Sequence, residues 1–392
     1  LSSGAFDRTL RFRRGASWPE SCTPFAVDST LGRVEAAAGA FVMGAVLLDV
    51  FLTILYARIG AYVFSLPLAR ATWHLFRAIS ERFGRRRGAV LSFCGPAILV
   101  LLVVVWGVSL TCGAALVIEP ELGKRFRAVT PEAGEYRDFV TAMYVGGSSL
   151  AILGQSEFAP LTAGARLLYL LMSALGASLL SLTLTYLMQV YTALRERTAL
   201  GMRMHLLTDE TGDAAVLVAR LGRGGDGAAL SDLAADLARV DVSHHFYPVL
   251  FFFRFPEASH SVSRLSLLAL DAATLIESAI VQGRSSGELE SGASYLRRAT
   301  TALLGTLEET FLPSGSPGPD DALPPETRER WRRRYFAALP RLRRAGIQTP
   351  EDEESGAEHY VRLRRSWDGT IAKLASHMGF EAGEIDPAGS GH

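Results

Sequence analysis

Three apolar runs, Val34–Tyr56, Ala89–Ile118 and Ala165–Leu194, constrain this chain more than anything else in it. A bilayer core of about 30 Å needs roughly 20 helical residues to cross, and each run supplies them. The second would measure about 40 Å as a helix, so it must tilt or project beyond the hydrocarbon. In lipid every backbone N–H and C=O needs a partner within the protein, so helices are the expected form. A hydrophobic share of 49% fits a membrane protein.

Charge fixes an expected orientation. Between the first two runs, Arg70, Arg77, Arg82, Arg85, Arg86 and Arg87 face only Glu81, and such a basic loop is retained in the cytoplasm. The expectation is a multi-pass plasma-membrane protein with residues 1–33 and Glu119–Asp138 outside and everything after Leu194 inside. Arg8, Arg11, Arg13 and Arg14 on the outer side run against that rule. Within the loop, Ala61–Phe83 mixes aromatic residues with arginines, as in a helix lying on the inner membrane surface; a helix packed on protein fits equally. Formal net charge is zero, from 40 basic and 40 acidic residues, so nothing suggests nucleic acid. Cys22, Cys94 and Cys112 have neither disulfide-framework nor zinc spacing.

Between the second and third runs lies a segment too short and too polar to span, Tyr136 to Pro160. Asp138 and Phe139 open it, Ala142 and Tyr144 follow, and after Gly146-Gly147-Ser148-Ser149 comes Ala151-Ile152-Leu153-Gly154-Gln155-Ser156-Glu157 before Pro160. This layout resembles the pore loop of potassium channels, in which a short half-helix precedes a glycine-containing filter, an acid, a proline and an inner helix. About a quarter of the chain carries the likeness. The resemblance implies a homotetramer in membrane lipid, with one loop per chain lining a path for monovalent cations, potassium or sodium, and no resident cofactor or metal. It also implies a selectivity filter at Ala151, Ile152, Leu153, Gly154, Gln155, Ser156 and Glu157.

The departures from the family pattern predict weakened potassium selectivity. Ser156 stands where a second glycine is usual, at a cost on the order of 1 kcal/mol or more wherever a left-handed backbone is required. Gln155 replaces the aromatic that packs behind the filter, and Ala151 and Ile152 replace threonines. Gly176, near the middle of the third run, reads either as a gating hinge or as a packing contact with Ala174, Ala177 and Ser178. Asp49 interrupts the first run; a carboxylate at that depth needs a partner, with Arg58, another inner-side arginine, Ser and Thr groups of neighbouring helices, or a proton as candidates, and it reads as a gating or proton-sensing acid or a structural contact.

The remainder predicts an all-helical cytosolic domain. Helical spacing appears over Asp213–Leu221, Ala228–Val240, Ser261–Val281, Gly287–Phe311, Glu326–Ala345 and Ala357–Met378, with a Pro- and Ser-rich linker at 313–325. The Gly-rich stretch Leu221–Gly227 is flanked by helical pattern with no second strand following, unlike a nucleotide site, and reads as a turn. His244, His245 and His260 read as core or boundary residues rather than metal ligands, and no enzyme motif appears. The expected whole is an all-α membrane protein: first helix 34–57, basic loop 58–88, pore module 89–194 (outer helix 89–118, pore helix 138–150, filter 151–157, inner helix 162–194), helical domain 195–312 and C-terminal helices 326–392. A different class of protein remains open, a non-conducting receptor or scaffold using the same module to oligomerise.

Overall fold

A computed structural model describes residues 30–56, 63–129, 138–151, 157–223, 227–281, 287–312 and 323–386. Three helical stretches, Thr30–Tyr56, Arg87–Glu121 and Ala163–Leu207, are long and apolar enough to cross a membrane. The residues divide into two compact units, Leu1–Phe41 with Thr111–Ala177, and Val42–Leu110 with Ser178–His392.

In the first unit, the N-terminal part of helix α1 (Thr30–Val50) meets the C-terminal part of α4 (Cys94–Ile118) where Gly39 allows close approach: a Cβ there would lie 2.5 Å from the Gly113 carbonyl oxygen. After α4 the chain forms strand β1 (Phe126–Ala128), helix α5 (Phe139–Leu150), strand β2 (Phe158–Pro160) and the start of α6 (Ala163–Leu207). The strands pair antiparallel, Phe126 opposite Pro160 and Ala128 opposite Phe158. This small sheet departs from an all-α expectation. A three-residue pair joins the chain before α5 to the chain after it through backbone groups, which no helical periodicity would reveal.

In the second unit, α9 (Val262–Ala279) is the hub, with nearly every residue buried. Around it pack α7 (Ala214–Gly222), α10 (Gly287–Phe311), α12 (Glu353–Arg365) and α13 (Asp368–His377). Helix α8 (Gly227–Phe246) lies along α10, and α11 (Pro325–Arg344) runs beside α12. The same hydrophobic core takes in Leu91, Ile98, Leu102, Tyr186 and Val190 from the long helices, and Ala69 and Trp73 from α2 (Ser65–Ser80).

Four expected boundaries shift. The second run is two helices, α3 (Arg87–Ser92) and α4, because Pro96 lacks an N–H and its ring crowds the carbonyl four residues back, at Ser92. The third run does not stop at Leu194: Leu200 and Met204 continue the buried face, and α6 runs on to Leu207. Residues 195–312 and 326–392 are not separate, since Trp331, Tyr335 and Tyr360 sit in the core that contains α9. Finally, Ala357–Met378 is not one helix. It breaks at Ser366–Trp367, where the Trp367 indole turns inward to donate to Thr274 Oγ1 at 3.2 Å.

Candidate functional site

Helix α5 is built to stop short. Asp138 caps its N-terminus, accepting the Thr141 N–H at 3.0 Å, and its 12 residues extend about 18 Å, little more than half a bilayer core. One face is fully buried at Ala142 and Val145, while Tyr144 stays half-exposed. Small residues set its distance from α4: a Cβ on Gly146 would meet the Ala114 side chain at 3.0 Å, and one on Gly147 the Thr111 methyl at 3.3 Å. At its far end, a Cβ on Gly176 of α6 would lie 1.8 Å from the Leu150 carbonyl oxygen, so α6 and the C-terminus of α5 are in direct backbone contact. The Ser149 hydroxyl points to Met172 Sδ at 3.7 Å one turn earlier. Gly176 thus has a defined packing role within an unbroken helix.

Of the expected filter, Ala151 is an exposed turn residue whose N–H donates to the Gly147 carbonyl at 2.8 Å, and Glu157 is exposed with its carbonyl accepting from Val129 N–H at 2.6 Å. Ile152, Leu153, Gly154, Gln155 and Ser156 lie outside the described residues.

Asp49 lies in the second unit, fully buried, and five donors converge on it. Oδ1 accepts the backbone N–H groups of Val63, Phe64 and Ser65 at 3.0, 3.0 and 3.3 Å. Oδ2 accepts the Ser65 hydroxyl and the Trp106 indole N–H, the latter at 2.9 Å. The first turn of α2 has N–H groups with no intrahelical partner and carries the positive end of the helix dipole, and Asp49 serves it from 14 to 16 residues upstream. The main chain turns out of the α-helical form just after it, into π-helical turns at Phe51–Tyr56. A serine was among the expected partners; the three backbone donors and Trp106 were not. Arg58 lies outside the described residues.

The rest of α2 is gripped by the helical domain. Trp73 is buried 6.0 Å from the Phe252 ring, and Arg70 Nη2 donates to the Thr310 carbonyl at 2.6 Å. The apolar run around Pro248 is a buried 3₁₀ turn, Pro248–Phe252, in which Phe251 stacks on Phe311 at 4.0 Å. The carbonyls of Leu250 in the turn and of Phe253 just after it accept from the buried Arg197 guanidinium at 3.1 and 2.7 Å.

His244, beside Arg197, is buried with Nδ1 on the Val240 carbonyl at 2.8 Å; burial, and then the nearby guanidinium, push its pKa down to about 3. His260 lies edge-on to Phe255, and His245 edge-on to Phe246. Among the described residues no group of three or more His, Cys, Asp or Glu side chains could hold a metal ion.

Sequence reasoning missed a buried charge network at α9. Asp271 pairs with Arg334 at 2.6 Å and Arg364 at 3.1 Å, and also accepts the Tyr360 hydroxyl. Arg364 reaches Asp368 at 3.0 Å and Asp386 at 2.9 Å, with its guanidinium 5.4 Å from the Trp331 ring and 5.1 Å from that of Trp367. A cavity of about 500 Å³ borders Asp368 and Asp386.

No protein-family model matches the chain. It is 24% identical over 243 residues, 61% of its own length and 68% of the relative's, to "Uncharacterized membrane protein YdjJ" of Bacillus subtilis. No solved structure matches. The long apolar helices and this relative agree on a helical membrane protein.

Proposed function

We propose that the chain is one subunit of a homotetrameric, potassium-channel-like protein of the plasma membrane, passing monovalent cations with weak potassium selectivity. The observation that carries the reading is the contact between Leu150 and Gly176. Gly176 lies 13 residues along α6 from Ala163, or about 20 Å at 1.5 Å per residue. The short helix between two candidate spans therefore ends alongside the apolar interior of the second one. From Leu150 the chain has only eight steps to reach Phe158, beside the start of α6, and eight extended residues cover at most about 26–29 Å. Eight residues are therefore enough to return from that depth as extended chain, and extended chain can turn successive carbonyls toward a path for ions.

In this reading Ala151 to Glu157 line the path, and the C-terminal carbonyl end of α5 favours a cation beside them. Non-helical backbone at membrane depth is tolerated only where it is buried in protein or faces water, so four copies around an axis satisfy what one leaves open. The arginines between α1 and α4 favour the cytoplasm for that side and for the helical domain. Helix α2, which buries Trp73 and exposes Leu75 and Ile79, would lie at the inner membrane surface.

Cation flux through purified protein in liposomes tests the proposal. Uptake of potassium or sodium, lost when Gly154 is replaced by a bulky residue, supports it. No flux of either ion at any pH or voltage sinks it and leaves an oligomeric scaffold.

A further inference from the structure

Beyond the spans, α6 and α8 carry a surface that nothing described so far uses. Among the exposed residues of α6, a series recurs at three- and four-residue steps: Leu184, Met188, Tyr191, Arg195, Ala199, Met202 and Leu206. At about 100° per residue these seven positions fall within an arc of about 80°, a single stripe. It continues without a break from the apolar part of the helix into the part that packs on the helical domain. Helix α8 carries a stripe of the same kind at Ala235, Arg239, Val242 and Phe246.

The two stripes form one face. The helices run antiparallel, with Arg203 paired to Asp236 at 2.8 Å near one end of the contact and Tyr186 packed on Tyr247 at 5.9 Å near the other. Each turns its opposite side into the shared core, α6 through Leu200 and Met204 and α8 through Leu233 and Leu237. Large apolar side chains nevertheless stand in the open on this face: Met202 is 45% exposed, Leu206 54%, Val242 53% and Phe246 45%.

We propose that this face is a seam between copies of the chain. The proposal rests on the oligomeric reading above and adds where the copies meet outside the spans. Two observations favour a second copy over another occupant. The stripe has the spacing with which helices interlock along their length, and it prolongs the exposed face of the helix that would line the assembly. Its charges are also incomplete within one chain. Arg203 and Arg239 both pair with Asp236, whereas Arg195 reaches only the Thr192 hydroxyl, at 3.4 Å, and neither it nor the neighbouring exposed Glu196 forms an ion pair among the described residues. Arg195 stands on the stripe and Glu196 about 100° round the helix from it, so across a seam Arg195 of one copy meets Glu196 at the flank of the next.

Thiol cross-linking in membranes tests this with the full chain. Met202→Cys and Val242→Cys, treated with a short bifunctional thiol reagent, give linked species several-fold above both the unmodified chain, whose own cysteines are Cys22, Cys94 and Cys112, and a Tyr295→Cys variant at an exposed position of α10. Arg195→Glu lowers the linked fraction, and Arg195→Glu with Glu196→Arg restores it. Light scattering on detergent-purified protein separates the two ideas. An oligomer in which only Tyr295→Cys links, or none does, overturns the seam and spares the oligomeric reading; linked dimers with no higher species support the seam and refute the tetramer; a monomer without links removes both.

Discussion

The Trp106 indole N–H donates to Asp49 at 2.9 Å, bringing the second apolar run onto the same carboxylate that holds the first turn of α2. One buried acid thereby joins three segments, which accounts for its tolerated position in an apolar helix.

Replacing Asp49 with Ala leaves the N–H groups of Val63, Phe64 and Ser65 and the Trp106 indole without their acceptor. Each buried donor so orphaned costs on the order of 1–3 kcal/mol, so the variant should lose about 3 kcal/mol or more of stability. Thermal unfolding in detergent measures the loss, and amide hydrogen exchange should accelerate first at residues 63–65.

Gly176 has no room for a side chain. Gly176→Ala places a methyl 1.8 Å from the Leu150 carbonyl oxygen in ideal geometry, so α5 or α6 must shift, at a cost of about 1–3 kcal/mol. Gly107→Ala, where nothing lies within 4 Å, is the control and should be neutral or slightly stabilising. Equal melting temperatures for the two variants would contradict the α5–α6 contact.

His244 predicts acid sensitivity. Its pKa of about 3 in the folded protein lies below the ordinary value near 6.5, so between those limits the unfolded chain binds a proton that the folded one does not. The stability it contributes is complete above about pH 6.5 and is lost as pH falls toward 3, at up to about 1.4 kcal/mol per pH unit. Burial lowers the pKa of His260, His359 and His377 as well, adding to the slope. Denaturant unfolding at pH 7.5 and 5 should show the decline, and His244→Gln should flatten it.

Arg364, only 1% exposed, neutralises carboxylates from α9, α13 and the C-terminal end. Arg364→Met leaves Asp368 without its cation and Asp271 and Asp386 with Arg334 alone of the two arginines, and should destabilise the helical domain by about 3 kcal/mol. Arg364→Lys, which lacks the forked guanidinium that reaches three carboxylates at once, should recover only part of that. Chemical denaturation of the full chain followed by tryptophan fluorescence reads both.

What the sequence revealed and what it hid follow from the range of the forces involved. Val34–Tyr56 and the later apolar runs announce themselves through hydropathy, and Gly287–Phe311 through helical spacing, because each signal lies within one stretch of chain. Asp49 stands out as an anomaly in such a stretch, but its partners are mostly backbone N–H groups, which leave no residue signature. The network around Asp271 joins it to Arg364, 93 residues later, and no local pattern carries that pairing. Pro96 signals the break between α3 and α4 plainly once its ring is considered, whereas the extension of α6 to Leu207 depends on the core that Leu200 and Met204 enter.

The central claim is that Ala151 to Glu157 line an ion path, and reversal potentials in mixed potassium and sodium test it most directly. The native protein should discriminate little between the two ions, and Gln155→Tyr combined with Ser156→Gly should favour potassium more strongly. High and equal potassium preference in both, or no current in either, would contradict the account.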